Sequence, residues 1–110
     1  MNKAFRLKAG DIKPIARGFG ACIATDRITV DGEPVGYMYR DEPQDPVDSG
    51  WVFMAGTETR EYMDDPVNAG VYDVNTVANY DPDIVQFLDA PVGSRFSRRP
   101  PGSPLAPETD

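Results

Sequence analysis

Apolar positions along the chain fall into short runs separated by glycine, proline and acid. Residues Phe19 to Thr25 make one compact run of strand length, entered through Gly18-Phe19-Gly20, and read as a buried strand. Ile28-Thr29-Val30 is β-branched throughout and runs into Asp31-Gly32, a hairpin signal because glycine tolerates the positive φ of a tight reversal. The returning strand is Val35 to Tyr39, with Val35, Tyr37 and Tyr39 on one face and Gly36 and Met38 on the other. From Arg40 to Gly50, prolines and acids predict a solvated loop. In Trp51 to Ala55 both parity classes are apolar, Trp51, Phe53 and Ala55 against Val52 and Met54, as in a central strand.

The second half alternates helix and strand signals. Thr57 to Met63 reads as a short helix with Thr57 as its N-cap, ended at Asp64-Asp65-Pro66, where the residue before proline leaves helical geometry. Asn75 to Tyr80 makes another helical turn. Asp81-Pro82 opens a helix to about Leu88, with Ile84, Val85 and Leu88 facing inward. Pro91 to Phe96 is expected to close the sheet as an edge strand. From Ser97 onward proline and small residues dominate, which predicts a flexible tail over 97–110 behind one domain over 1–96. The tail's Arg98-x-x-Pro101-x-x-Pro104 matches a polyproline-ligand pattern that arises readily by chance. Strands alternating with short helices predict an α+β fold, a small, mainly antiparallel sheet with short helices packed on it.

A chain of 110 residues suits one core, which needs neither metal nor disulfide to fold. The N-terminus carries the charge of a signal peptide without its apolar stretch, and no run approaches a membrane span, so the expected compartment is the cytoplasm. The net charge of −7 is unevenly spread: from Asp26 to Asp89 fifteen acids face three arginines, while the flanks balance at +4 and +1. Such a centre repels nucleic acid and anionic membrane and attracts a cationic protein surface; surplus acid also serves solubility alone.

Few residues offer chemistry. Histidine is absent, which removes the commonest general base and the usual zinc ligand. The lone Cys22 sits among small apolar residues, where a thiol packs as a minor hydrophobe. Ser49 and Ser94 lie outside any Gly-x-Ser-x-Gly elbow, and no phosphate-binding glycine loop is present. Carboxylates are abundant, so paired-acid hydrolysis and divalent metal binding have to be weighed. Asp73-Val74-Asn75 begins like a calcium loop, yet Val77 and Ala78 stand where a ligand and the turn glycine belong. Asp81 and Asp83 are explained by a helix start, so no catalytic residue, metal site or cofactor is expected. Trp51 and Phe53 read as core, whereas Tyr39, Tyr62 and Tyr80 adjoin acids where core meets surface.

Several blocks in order carry a resemblance: Ile12 to Ala16, Ile28 to Gly32, Val35 to Arg40, Asp48-Ser49-Gly50-Trp51, Glu61 to Pro66 and Val71 to Pro82. Together they resemble the bacterial immunity protein thirty-three family, once a domain of unknown function, over about Phe5 to Phe96. The resemblance implies an immunity factor of a polymorphic toxin system and marks Trp51 as a family hallmark. The chain departs at Val52, where similar proteins often carry arginine, and after Gly93, where a more acidic ending is usual.

The combined expectation is a non-catalytic cytoplasmic protein that blocks a cationic toxin domain through an acidic surface. Its candidate contacts are Asp41, Glu42, Asp45 and Asp48 in the first loop, Glu61, Tyr62, Asp64 and Asp65 in the second, and Tyr80 and Asp81 at the helix start. The alternatives are a carboxylate and metal-dependent enzyme and a housekeeping interaction module.

Overall fold

The sheet is organised around β3 (Asp48–Met54), whose residues 49 to 53 are all buried. In the computed structural model, which describes residues 3–108, six strands lie in the order β4-β1-β3-β2-β5-β6. The other strands are β1 (Ala21–Thr25), β2 (Tyr37–Arg40), β4 (Ala69–Asp73), β5 (Arg95–Ser97) and β6 (Ala106–Pro107). Met1 and Asn2, and Thr109 and Asp110 of the expected tail, lie outside the described residues. β1 runs parallel to β3, and the other four pairings are antiparallel, so the α+β architecture holds with a mixed sheet.

One face of the sheet carries the core. Trp51, Phe53, Met38, Cys22, Ala24 and Phe96 project into it from the strands, where they meet Ile28, Val74, Val77, Ala78, Ile84 and Leu88. The Trp51 indole N–H finds the carbonyl of Leu88 at 3.2 Å, which satisfies the polar end of the largest core side chain. Phe87 stacks on Phe96 at 4.4 Å. Gly50 is required by close approach: at φ +86 a Cβ there would run into the carbonyl oxygen of Asp41, whose own N–H donates to Gly50 O at 2.8 Å.

The expected hairpin at Asp31-Gly32 is corrected. Ile28-Thr29 belongs to a single helical turn, α1 (Asp26–Thr29), closed by Val30 N–H on the Asp26 carbonyl at 2.8 Å. Burial overrides β-propensity here, since that turn drives Ile28 and Thr29 fully into the core. α2 (Arg60–Asp64) is shorter than expected and its cap is Thr59 rather than Thr57, with Thr59 Oγ1 accepting from Tyr62 N–H at 3.1 Å. α3 (Val74–Tyr80) starts at an Asp73 cap. Asp81-Pro82 does open a helix, but of 3-10 type over Pro82–Phe87. Its tighter turn buries Ile84 and, just beyond its end, Leu88, while Val85 stays 36% exposed, against expectation.

The chain after Phe96 also differs from the expected free tail. β5 is not an edge, because β6 pairs with it, and Leu105 is only 6% exposed within the core cluster. Arg98 reaches under the sheet to Asp81 and Asp83 and to the carbonyls of Val35 and Ser103. One buried leucine and one buried guanidinium fix a segment that has no apolar periodicity.

Candidate partner-binding surface

The loop between β2 and β3 holds the first acidic group. Asp41, Glu42 and Asp45 are exposed, and Asp48 is half-buried at the start of β3. Three of these carboxylates shape the loop itself. Asp41 Oδ1 accepts from Glu42 N–H at 2.9 Å, and Asp45 Oδ1 from Val47 and Asp48 N–H at 2.9 and 3.0 Å. Asp48 accepts from Gln44 and Gly50 N–H, both at 2.9 Å, and these amides hold its carboxyl below the ordinary aspartate range. These bonds brace the loop, which lies beside a shallow groove of about 180 Å³ lined by Ile23, Asp41, Glu42, Asp48, Trp51 and Val52, among others.

The second acidic group lies elsewhere. Glu61 and Asp64 are exposed on α2, and exposed Asp65 caps the following 3-10 turn through Val67 N–H at 3.1 Å. Tyr62 is half-buried with the Arg27 guanidinium 4.7 Å from its ring centre. Burial, reinforced by Asp26, pushes its hydroxyl up despite Arg27. This group follows the C-terminal end of β3, whereas the first precedes its N-terminal end. Seven residues of extended chain make β3 itself about 20 Å long, and the two groups are reached from its opposite ends.

Tyr80 and Asp81 are occupied internally. Tyr80 OH donates to Thr29 O at 2.8 Å and accepts from Leu7 N–H at 3.0 Å. Asp81, 6% exposed, accepts from Val35 N–H at 2.9 Å, from Asp83 N–H at 3.1 Å and from Arg98 at 2.9 Å. Both hold elements together. Trp51 is 1% exposed, with Arg40 set 5.7 Å over its ring.

The sequence reading missed the residues that pack beside the first loop. Register aligns Val71, Ile23, Val52, Tyr39 and Arg95 in one cross-strand row on the face opposite the core. Tyr37 and Tyr39 pack ring to ring at 5.7 Å on the same face. Burial, then neighbouring Asp41 and Tyr37, push the Tyr39 hydroxyl up; the groove that Ile23 and Val52 share with Asp41 and Glu42 sets the acidic loop beside this row. The available signal was the parity of β1, where Ile23 alternates with buried Cys22 and Ala24.

Cys22 is buried; desolvation first, with Asp73 and Asp48 adding, pushes its thiol far above the reactive range. Among the described residues no three acids or thiols converge as a metal-binding group, and no helix is long and apolar enough to cross a membrane.

The family model described as the Immunity protein Imm33 domain matches residues 22–105. The chain belongs to the Imm33 family. No curated protein and no solved structure matches it. The Imm33 match begins inside β1 and ends at Leu105, so it spans the whole sheet except the first residue of β1 and β6, and it includes Arg98 and the buried leucine of the C-terminal segment. Membership suggests a toxin-neutralising immunity role with a protein toxin as partner.

Proposed function

We propose that this Imm33 protein neutralises a toxin by binding it without chemistry, in the cytoplasm, with the acidic β2–β3 loop as the attracting element. The family match over residues 22–105 carries the reading. The electrostatic part is supported by exposed Asp41, Glu42 and Asp45 on a loop braced by its own amides. A negative surface speeds encounter with a cationic toxin domain and orients it, and repels nucleic acid and anionic lipid. A braced loop loses little entropy when bound. Because α2 stands at the other end of β3, Glu61, Asp64 and Asp65 act in this reading as a separate, weaker contributor.

Stopped-flow association with the toxin domain recovered with the tagged chain from its own cell, at two salt concentrations, tests this. Asp41→Asn with Glu42→Gln slows association about three- to tenfold and flattens its salt dependence; Asp64→Asn with Asp65→Asn does less. Unchanged association for the first variant refutes the steering role, and turnover of a substrate by the free chain refutes the non-catalytic reading.

A further inference from the structure

We propose that the open face of the sheet, centred on Ile23 between Val71 and Val52, is the surface on which a basic toxin domain seats, with the β2–β3 loop and Asp73 as its acidic rim. The proposal rests on the toxin-binding reading above and says where the affinity resides.

The core residues of α1 and α3 lie on the other face, so these helices leave the row from β4 to β5 uncovered, and within it Val71, Ile23 and Arg95 are exposed. Val71 is 74% exposed and its Cα partner Ile23 43%, while Val52, next in the row, is 8% exposed and forms the floor. Val71 and Val47 are the most exposed large apolar side chains among the described residues. Both border β1, Val71 as the partner of Ile23 and Val47 by accepting Ala21 N–H on its carbonyl at 2.7 Å. The packed Tyr37 and Tyr39 rings continue this surface across β2. Aliphatic and tyrosine surface of this kind supplies the desolvated centre of an interface, which acidic loops alone lack.

Charge decides the occupant. Ile23 and Val52 share their groove with Asp41, Glu42 and Asp48, and Asp73 pairs with Ala21 two residues along from Ile23. A second copy of this chain would set acidic rim against acidic rim, in a region that carries fifteen acids and three arginines from Asp26 to Asp89. A basic surface with a protruding apolar side chain meets both the groove and its rim. Arg95 closes the row at its far end, so the complementary surface is basic toward the β2–β3 loop and not uniformly so.

The test uses the full chain in its own cell with the photo-crosslinking residue p-benzoylphenylalanine at Val71 or, as a control on the helical side, at Val85. The crosslinked species is identified by mass spectrometry, and its affinity for purified variants is then measured. The expected result is a basic toxin domain crosslinked from position 71 and not from 85. Ile23→Asp weakens that complex about tenfold or more, and Ile23→Val and Val85→Asp leave it intact. Should Ile23→Asp fail to melt cooperatively, Val71→Asp on the edge strand carries the same test. A toxin complex that crosslinks only from 85, or that Ile23→Asp and Val71→Asp both bind at wild-type affinity, overturns the docking face and leaves the toxin reading standing. Crosslinks only to another copy of the chain overturn the charge argument. A wild-type chain that binds no toxin overturns the proposal and the reading beneath it together.

Discussion

Arg98→Met isolates the contact that ties the C-terminal segment to the rest of the domain. The Arg98 side chain is 10% exposed and its Nη2 lies 2.9 Å from Asp81 Oδ2, on a carboxylate that is itself 8% exposed. The same guanidinium donates to Val35 O at 2.8 Å and to Ser103 O at 2.9 Å. Methionine keeps the length of the stem and removes every donor. Asp81 then stays buried with two amide donors, Val35 and Asp83 N–H, and no counter-charge. Its pairing with Asp83, 61% exposed, contributes little by comparison. Leaving a buried carboxylate uncompensated costs about 3–5 kcal/mol, a large part of the roughly 5–15 kcal/mol by which a domain of this size is stable. Adding Asp81→Asn removes the stranded charge; because Val35 N–H bonds Oδ2 and Asp83 N–H bonds Oδ1, the single amide oxygen keeps an acceptor for only one of them, so the double variant recovers about 1–2 kcal/mol. Urea melts followed by the emission of the single Trp51, which is 1% exposed, measure all four corners of the cycle. A loss below about 1 kcal/mol for Arg98→Met, or costs that simply add in the double variant, refutes the clamp.

Two further outcomes follow from the same packing. Leu105→Ala, at a side chain 6% exposed, lowers stability by about 2–3 kcal/mol, and ending the chain at Ser97 lowers it further; a calorimetric melt unchanged by either shows that the segment is not part of the core. At Glu58, burial raises the carboxyl pKa, but donors from Thr25 Oγ1 at 2.6 Å and from Ala55 and Gly56 N–H at 2.8 Å outweigh it and hold it below the ordinary glutamate value. A depressed folded value stabilises above the unfolded pKa and is lost as pH falls. Glu58→Gln therefore flattens the decline in stability between about pH 5 and pH 3, and an equal acid slope in both proteins refutes the role.

What was legible in the sequence depended on how local the deciding physics is. Trp51 to Ala55 announced a central strand because both parity classes are apolar, and β3, which starts earlier at Asp48 and ends at Met54, is indeed flanked by β1 and β2. Ile28-Thr29-Val30 misled because three β-branched residues fit a strand or one helical turn equally well, and only the sheet above them decides. The C-terminal segment was unreadable because its anchors are single residues. Leu105 has no periodic company, and the partner of Arg98 is an aspartate seventeen positions back that also caps a helix. The first acidic loop was visible from its prolines and carboxylates. Its separation from α2 was not, since that depends on the direction of β3. The row Val71, Ile23, Val52 was hidden most deeply, because it exists only once an antiparallel and a parallel pairing are both in register.

The way the β2–β3 loop is fastened has a consequence for how such a protein diversifies. Its two ends are pinned by the framework, Asp41 N–H to Gly50 O at 2.8 Å and Ala21 N–H to Val47 O at 2.7 Å, while the side chains of Glu42 and Gln44 make no core contact. Exposed side chains between those pins that brace nothing, such as Glu42, are free to drift without disturbing strand register, whereas Asp45 and Asp48 hold the loop's shape. The fold thus separates the outer surface of this loop from the hydrophobic interior: an exposed side chain such as Glu42 can change while the packing of Trp51 and Phe53 is passed on unaltered.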